Sequence, residues 1–375
     1  MKKIILIGPV YPYKGGISHY TGLLYRELIK KYDVVMVSYK MQYPRFLFKK
    51  EQKDYTNDRF KIDGTKFMIH TANPLNIWKT GKWIRKQRPD MVLVQWWHPY
   101  FAPCYVLLGM AMGRQNLVYL CHNVLPHESF PFAGLLTKAV LKRGKRFIVH
   151  ANQEKQILEK LLKKPDVAVT PHPTYDAFQM TGIERSRAKE KLKLDTEQKV
   201  LLFFGFVREY KGLKHLLKAM PDIISKQSDV ILLIAGDFGD QKEEYTHLID
   251  NLEIGSFVRI EDGYIPDQDV ELYFAACDLV VLPYESATQS GIAQIAFGFE
   301  RPVVVTNTGG LPDVVEHDKT GYVVEPCNPK ALAAAVTDFY DRGRREEFES
   351  NIKRQADRFS WSRMEERVSA FFEKE

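Results

Sequence analysis

Short, uninterrupted apolar runs alternate with longer amphipathic stretches along the whole chain. The runs of the first half are Lys3–Ile7, Val34–Ser38, Met91–Gln95, Leu117–Cys121 and Phe147–His150. Those of the second half are Val200–Phe204, Val230–Ala235, Phe257–Ile260, Leu279–Leu282, Pro302–Thr306 and Tyr322–Val324. Short runs rich in Val, Ile and Leu are typical of parallel strands covered on both faces. The pattern predicts an α/β protein with two Rossmann-like domains, whose parallel sheets we expect to face a central cleft.

The division between these domains is predicted at the proline pair in the segment Thr170–Thr174, because proline ends helices and restricts the chain. We assign residues 1–172 to an N-terminal domain and 173–358 to a C-terminal one. Residues 359–375 form an amphipathic helix, with Trp361, Met364, Val368 and Phe371 roughly on one stripe. Residues 41–72 interrupt the alternation of strands and helices. We interpret them as an irregular segment, an excursion of the chain at the edge of the sheet, that faces an acceptor.

Charge is divided unevenly between the halves. Residues 1–170 hold 29 Lys and Arg against 11 Asp and Glu, a net of +18, whereas residues 171–375 have a net of −11. Basic clusters lie at Phe46–Lys50 and Phe132–Phe147. The second reads as a helix with an apolar side and a basic side, which suits an anionic membrane surface. A solvated basic surface helix is the alternative. Nucleic acid is not predicted as a partner because no nucleic-acid-binding motif is recognised.

Targeting and redox signals are weak. The N-terminal apolar segment is too short for a signal peptide and lacks a small-residue cleavage site, so we interpret it as a first buried strand. The four cysteines have no metal or redox spacing. Cys121 and Cys277 lie in or beside apolar runs, which indicates buried thiols in a reducing cytosol. We therefore expect a cytoplasmic protein, peripheral on the inner face of the plasma membrane.

Three loops that follow predicted strands have the composition of anion sites. In the first, Gly15 and Gly16 open a helix whose backbone amides would meet a phosphate, although a plain tight turn is the alternative. In the second, Gly205–Gly212, Arg208 and Lys211 lie three positions apart before a predicted helix. Two cations so placed would stabilise a diphosphate as it leaves. The alternative is a pair of solvated surface charges.

The third loop opens a helix at Ser290–Gly291. Its hydroxyl, amide and backbone donors come from four consecutive residues: Thr288, Gln289, Ser290 and Gly291. Such a helix start carries unpaired N–H groups and the positive end of the helix dipole. This loop is predicted to bind a phosphate or a polar sugar beside one.

One histidine and one acidic pair complete the candidate chemistry. His122 directly follows the strand Leu117–Cys121, so it should point into the cleft, where it would hydrogen-bond a sugar hydroxyl or carry a proton. A structural role is the alternative. Asp267 and Asp269 mimic the Asp-x-Asp motif of metal-dependent sugar transferases. They follow Pro266 and are predicted instead to open a helix, so no metal site and no cofactor is expected.

These motifs together resemble the retaining glycosyltransferases of family 4, which have the GT-B fold. The matching pieces are Gly15–Gly16, His122, GFVREYKG at Gly205–Gly212, IAGDFGD at Ile234–Asp240, DGYIPDQDVELYFAACDLVVLPY, PVVVTNTGGLPDVV and the C-terminal FSWSRM. The resemblance implies that the last helix crosses back onto the N-terminal domain. It is dense in the second half and thin over residues 41–115.

The resemblance also implies roles for the candidate residues. Arg208 and Lys211 would hold the diphosphate of a nucleoside-diphosphate sugar, with the Gly16 amide closing over it. His122 would lie beside the donor sugar. Gln289 to Gly291 would meet the sugar and β-phosphate. The positions near the base are Gly236, at the turn after Ala235, with Tyr264 and Ile265.

The sequence departs from the family at one place. Alignment on Pro302 puts Thr288 and Ile295 where the family commonly has two glutamates. We expect Thr288 or Gln289 to replace the first by hydrogen bonding. The mechanism is less affected, because retaining members are thought to use the departing phosphate oxygen as the base, without an enzymic nucleophile.

Three functions remain open from the sequence. The first is metal-independent transfer, with retention, from a nucleotide-sugar, most simply a UDP-sugar, onto a lipid-linked or glycan acceptor in surface polysaccharide or glycolipid biosynthesis. The second is transfer to a soluble sugar or sugar phosphate. The third is a non-catalytic nucleotide-sugar-binding or scaffold protein.

Overall fold

The computed structural model describes residues 1–47, 51–56, 58–126 and 129–373. The chain divides into two compact units. Unit 1 comprises Met1–Pro171 and Ser360–Glu375, and unit 2 comprises His172–Phe359.

Both units alternate strands and helices. The elements of unit 1 before the division are β1 (Lys3–Ile7), α1 (Gly16–Leu28), β2 (Asp33–Met41), β3 (Lys66–His70), α2 (Pro74–Lys86), β4 (Met91–Trp96), α3 (Ala102–Met112), β5 (Leu117–Cys121), α4 (Ala133–Leu141), β6 (Arg146–Val149), α5 (Asn152–Leu161) and β7 (Asp166–Val169). Those of unit 2 are α6 (Arg185–Lys191), β8 (Lys199–Phe204), α7 (Leu213–Lys226), β9 (Val230–Gly236), α8 (Lys242–Asn251), β10 (Val258–Asp262), α9 (Asp267–Ala276), β11 (Leu279–Leu282), α10 (Gly291–Gly298), β12 (Val303–Thr306), α11 (Leu311–Val314), β13 (Gly321–Val324), α12 (Pro329–Asp341) and α13 (Arg345–Arg354). The chain returns to unit 1 with α14 (Trp361–Glu373).

Each unit is built on one parallel sheet. The order in unit 1 is β3-β2-β1-β4-β5-β6-β7, and the order in unit 2 is β10-β9-β8-β11-β12-β13. The central strands are buried on both faces, as their continuous apolar runs predict. Two parallel α/β sheets with covering helices confirm the predicted fold class.

Two strands of unit 1 were not predicted, and both are edge strands. β3 lies within the segment interpreted as an excursion and pairs with β2 through an irregular register. β7 pairs only with β6, and all its residues are half-buried. An edge strand has one neighbour and partial solvent exposure, so it needs no continuous apolar run. The pattern that identifies central strands therefore misses these two.

The helix predicted over Phe132–Phe147 is shorter than expected. α4 ends at Leu141, and Arg146 already pairs with Val118 in the sheet. The turn between them is tight, because the Gly144 amide donates to the Leu141 carbonyl at 2.9 Å. The basic residues after Leu141 consequently lie in a turn and on a strand start rather than on one helix face. In the other basic cluster, residues 48–50 lie outside the described part of the chain.

The terminal helix α14 packs within unit 1. Met364, Val368 and Phe371 are buried, which confirms the predicted apolar stripe. The rings of Trp361 and Tyr20 lie 5.0 Å apart, which places the start of α14 against α1. Across the described residues, none of the helices is both long enough and apolar enough to cross a bilayer.

The close packing of α2 on α3 yields a stability prediction. A Cβ built on Gly81 would lie 2.5 Å from the Ala111 Cβ and 2.9 Å from the Leu108 carbonyl oxygen. Gly81→Ala should lower the free energy of unfolding by about 1–3 kcal/mol, because the backbones must separate. Urea denaturation measures this value.

The matched control is Gly134→Ala in α4, where a built Cβ meets no heavy atom within 4 Å among the described residues. Alanine has the higher helix propensity, so this variant should be as stable as the parent or more stable. Equal stability of the two variants would contradict the packing argument.

Candidate functional site

The strand order of unit 2 reverses between two central neighbours. β8 leads outward to β9 and β10 on one side, and β11 leads to β12 and β13 on the other. Loops that leave the carboxyl ends of such neighbours diverge and open a crevice, where ligands of open α/β sheets bind. The segment Gly205–Gly212 follows β8, and the segment that ends at Ser290 follows β11. The topology thus places the two predicted anion loops of this unit side by side.

These two loops are joined directly. The Glu285 amide donates to the Tyr210 carbonyl at 2.7 Å. A Cβ built on Gly212 would lie 2.1 Å from the Pro283 carbonyl oxygen, and Gly212 has a φ of 64°. Glycine alone tolerates both the close approach and this backbone conformation. The position of the loop after β8 is therefore fixed by the loop after β11.

Lys211 is the buried cation of this crevice. Its side chain is 8% exposed, and Nζ lies 5.9 Å from the centroid of the Tyr284 ring. Burial, together with the nearby charge of Arg208, lowers the pKa of Lys211 to about 8. Arg208 is exposed, and its Nη1 donates to the Val207 carbonyl at 3.2 Å.

Neither cation is paired with an acidic side chain in the part of the chain that the structure describes. Within the described part of the chain, no carboxylate oxygen lies within 4.0 Å of a charged nitrogen of Arg208 or Lys211. A buried charge is costly unless it is paired. This loop therefore has the electrostatics of an anion site whose anion comes from a ligand.

The start of α10 lies beside Lys211. A Cβ built on Gly205 would be 3.2 Å from Lys211 Nζ and 3.6 Å from Ile292 Cδ1. Ser290 is the N-cap, as predicted, and its Oγ accepts from the Ala293 amide at 3.3 Å. The amides of Gly291 and Ile292 have no acceptor among the described residues. The structure thus brings a cation and two open amides together.

The loop before α10 contacts the residues that follow β12. The Gly310 amide donates to the Thr288 carbonyl at 2.9 Å. A Cβ on Gly309 would come within 1.6 Å of the Ala287 carbonyl oxygen, so only glycine fits there. The Gln289 Oε1 atom is buried and has no partner among the described residues. An unsatisfied amide oxygen at this position could accept a hydrogen bond from a ligand hydroxyl.

The three residues predicted near the base follow neighbouring strands of the same edge. Gly236 ends β9, and its carbonyl accepts from the Gly263 amide at 3.1 Å. Tyr264 and Ile265 follow β10 and are half-buried. The Tyr264 hydroxyl donates to Asp267 Oδ1 at 3.4 Å. They lie on the β9 and β10 side of the crevice, and their roles stay predictions.

The remaining predicted residues belong to unit 1. Gly15 is the N-cap of α1 with a φ of 104°, and a Cβ built there meets no described heavy atom within 4 Å. Gly16 begins the helix, as predicted. His122 follows β5 and is 4% exposed. Its Nε2 lies 2.7 Å from Gln95 Oε1.

Sequence reasoning missed the groups around His122. The Tyr20 ring lies 4.6 Å from the His122 ring, edge-on, and the His150 ring lies at 5.8 Å. Burial lowers the pKa of His150 to about 4, so this imidazole is neutral at pH 7. These side chains come from α1, β4 and the ends of β5 and β6. Gln95, His122 and His150 lie at the ends of predicted strands, which is a weak signal, and the position of Tyr20 on α1 gave none.

Glu154 lies at the same edge, in the first turn of α5. Burial raises the pKa of this carboxyl to about 7, although a hydrogen bond from the Val124 amide opposes the shift. Its Oε1 has no partner among the described residues. A carboxyl that is half-protonated near neutral pH was not apparent from its sequence position.

One group of possible metal ligands lies in unit 2. His215, Glu285 and Cys327 place one ligand atom each within 4.8 Å of one another. Glu285 already pairs with Lys214 at 2.9 Å, and that cation disfavours a metal ion beside it. Asp267 and Asp269 lie in the first turn of α9, which confirms the predicted helix start.

Two family models match the chain. "Glycosyl transferases group 1" matches residues 184–358, and "Glycosyltransferase Family 4" matches residues 14–175. The first falls within unit 2, and the second covers nearly all of unit 1 before the division. The chain belongs to the group 1 glycosyltransferases.

Curated relatives match at lower coverage. Spore coat protein SA of Bacillus subtilis is 28% identical over 51% of this chain and 54% of its own length. D-inositol 3-phosphate glycosyltransferase 2 of Catenulispora acidiphila is 28% identical over 79% of this chain and 67% of that protein. The chain spans about half the length of the first two relatives it matches.

Solved structures resemble the whole chain. The Anabaena protein HepE in complex with UDP-glucose has a TM-score of 0.75 at 19% identity, covering all of both chains. Sucrose-phosphate synthase from Thermosynechococcus elongatus has a TM-score of 0.73 at 17% identity, covering 100% and 99%. At this identity the likeness shows the fold alone, and it confirms the GT-B type.

The buried amine of Lys211 predicts a pH-dependent stability. Below pH 8 the native state carries a buried charge, which costs up to ~3 kcal/mol relative to a neutral side chain. Lys211→Met should therefore be more stable than the parent at pH 7. As pH rises from 8 toward 10.5, the native amine loses its proton before the unfolded one, so the parent recovers this difference.

Urea denaturation of both proteins between pH 7 and pH 10 measures the effect. Lys218→Met, at an exposed position on α7, is the matched control. A stability difference between Lys211→Met and the parent that stays constant across this range would refute the buried charge.

Proposed function

We propose that the chain transfers a sugar from a nucleoside-diphosphate sugar to an acceptor. The main support is the pair Arg208 and Lys211, which have no carboxylate partner among the described residues. Both residues lie in the loop at the point where the strand order of unit 2 reverses. Two cations without counter-ions and the open amides of α10 suit a diphosphate in charge and geometry. Membership of the glycosyltransferase family supports transfer rather than binding alone.

A UDP-sugar is the proposed donor. Structural relatives were solved with UDP and with UDP-glucose, which supports this class of donor. Gly236, Tyr264 and Ile265 are proposed to bind the base. Thr288 and Gln289 are proposed to bind the sugar in place of a glutamate, and the unpartnered Gln289 Oε1 supports that assignment. Ile295, at the second glutamate position, is 7% exposed and contributes to the core.

The proposed mechanism is electrostatic. As the bond between sugar and diphosphate breaks, negative charge grows on the leaving oxygen. Fixed positive charges on Arg208 and Lys211 stabilise this charge more than the ground state, which lowers the barrier. These cations supply the positive charge that a metal provides in other transferases, so metal-independent transfer is proposed. We propose retention, with the departing phosphate oxygen accepting the acceptor's proton.

Unit 1 is proposed to contribute Gly15, Gly16 and His122. The amide of Gly16 would contact the diphosphate, and the His122 imidazole would contact the donor sugar. The hydrogen bond to Gln95 fixes the orientation of the His122 ring. A fixed ring costs no reorientation when the substrate binds.

Removal of both cations is the direct test. Arg208→Ala with Lys211→Ala should lower kcat/KM for UDP-glucose, or for the active member of a nucleotide-sugar panel, by about 100-fold or more. Release of UDP in the presence of an acceptor extract measures the rate.

The matched control replaces two exposed cations of α7, Lys218→Ala with Lys226→Ala. Unchanged turnover in the Arg208 and Lys211 variant would overturn the assigned roles. Donor binding by the parent without turnover over any acceptor extract would favour the non-catalytic alternative.

We propose a lipid-linked or glycan acceptor, as in surface polysaccharide or glycolipid synthesis, and attachment to the inner face of the plasma membrane through unit 1. On α4, Leu135 is 69% exposed, and the preceding Phe132 is 78% exposed. Lys138 and Lys142 are exposed and follow Leu135 at helical spacing. An exposed apolar group flanked by cations suits insertion at an anionic lipid surface.

Leu135→Asp should weaken binding to anionic vesicles several-fold, because it removes an inserted apolar group and adds a repelled charge. Vesicle flotation at low salt measures binding. Leu75→Asp is the matched control, since Leu75 is 76% exposed on α2 of the same unit.

Equal binding by these two variants would argue against an α4 membrane surface. It would favour the second candidate, transfer to a soluble phosphate-bearing acceptor. That candidate is supported by relatives named for D-inositol 3-phosphate.

A further inference from the structure

The basic residues that follow α4 line a cavity of about 1000 Å³ within unit 1. Its walls are the end of α3, the start of β5 and the turn between α4 and β6. β5 runs from this cavity to His122, and five residues of strand span roughly 16 Å. The cavity therefore lies at the amino ends of the strands, away from the edge that carries the predicted catalytic histidine.

The charge of this cavity is one-sided. The lining includes, among the described residues, no Asp or Glu and five cationic residues: Arg114, Lys142, Arg143, Lys145 and Arg146. Among the described residues, no carboxylate oxygen lies within 4.0 Å of the charged nitrogens of Arg114, Lys142, Arg143 or Lys145. Mutual repulsion makes such a cluster unfavourable unless an anion joins it.

A cavity of unit 2 provides an internal comparison. It has a volume of about 870 Å³ and is also lined by five Lys and Arg residues, but four acidic residues accompany them. Arg185 pairs with Glu349 at 2.6 Å, and Arg345 pairs with Asp278 at 3.2 Å. Those cations are neutralised within the protein. The cavity of unit 1 has no comparable acidic lining.

Two of the cations are held in position. The Arg146 guanidinium donates to Asn116 Oδ1 at 3.3 Å and to the Phe371 carbonyl. The side chain of Arg143 packs on Gly109. A Cβ built on Gly109 would lie 3.2 Å from both Cδ and Nε of Arg143. The Nε of Arg143 is buried and has no acceptor among the described residues. A donor that lacks an acceptor is costly to bury, so it favours a bound oxygen atom.

Helix ends account for only part of this cluster. Lys142 caps α4, where the helix dipole favours a cation. Arg114 lies beyond the end of α3, and Lys145 lies in the turn before β6. The dipole effect is confined to the last helical turn, so it does not explain these two residues.

We propose that this cavity is a phosphate-binding site, separate from the donor site, for a ligand with more than one negative charge. Guanidinium groups match phosphate oxygens in pairs, and lysines add compact positive charges. The ligand would be a free oligophosphate or the phosphomonoester headgroup of an anionic lipid. The proposal rests on no part of the proposed transfer reaction.

The test uses Arg114→Ala with Lys145→Ala, because both side chains are exposed and, among the described residues, neither forms an ion pair with a carboxylate. Lys160→Ala with Lys163→Ala removes the same charge from exposed positions of unit 1 outside the cavity. Because Arg208 and Lys211 are proposed to bind a diphosphate as well, all titrations use the full chain carrying Arg208→Ala and Lys211→Ala. Failure of the donor-site proposal therefore leaves this test intact.

Two probes distinguish the sources of phosphate. Inorganic pyrophosphate is titrated by calorimetry at about 0.15 M salt, where long-range attraction is screened. Vesicles with phosphatidic acid are compared with phosphatidylglycerol vesicles of equal surface charge. The cavity variant should bind pyrophosphate at least tenfold more weakly than its control if the ligand is free. It should lose the preference for phosphatidic acid if the ligand is a lipid headgroup.

Equal affinities of the cavity variant and its control for both probes would overturn the proposal. Thermal denaturation of each variant establishes that it is folded. Should the double variant unfold, Lys145→Ala alone serves as the test, with Lys163→Ala as its control.

Discussion

An unpaired positive charge, buried where a parallel sheet reverses its strand order, sets the character of unit 2. Lys211 has little contact with water and no carboxylate partner among the described residues, so a bound anion would stabilise its ammonium. The surrounding backbone is built to keep it there, since Gly212 packs against the Pro283 carbonyl. The same contact joins the loop after β8 to the loop before α10. The buried charge, the unpaired amides at the start of α10 and the reversal of strand order therefore all indicate the same position for an anion.

Unit 1 distributes its polar groups differently. At the carboxyl ends of its strands, His122, His150 and Glu154 are buried and meet Gln95 and neighbouring backbone. Burial keeps His150 neutral and lets Glu154 take up a proton near neutral pH. Uncharged hydrogen-bonding groups are suited to sugar hydroxyls rather than to phosphates. They agree with the proposed contact between His122 and the donor sugar, whereas the proposed phosphate contacts come mainly from unit 2.

The opposite edges of the two sheets also differ. In the cavity of unit 2, acidic side chains pair with the cations, as Glu349 does with Arg185. In unit 1 the lining of the basic cavity includes no Asp or Glu among the described residues. Four of its cations, Arg114, Lys142, Arg143 and Lys145, have no carboxylate oxygen within 4.0 Å among the described residues, and their mutual repulsion costs stability in the absence of a ligand. Such a cluster therefore indicates a binding role more strongly than net charge does.

The sequence alone determined the central strands, the glycine-led start of α1, the start of α10 and the residue pair Arg208 and Lys211, because burial on both faces and helix initiation leave local patterns. It also carried the family motifs. The edge strands β3 and β7 were missed because an edge strand is only partly buried and leaves a weaker pattern. The end of α4 at Leu141, the missing counter-ion of Lys211, the groups around His122 and the basic cavity were decided by tertiary structure. Each depends on contacts between segments far apart in the chain, and no local pattern of residues records such contacts.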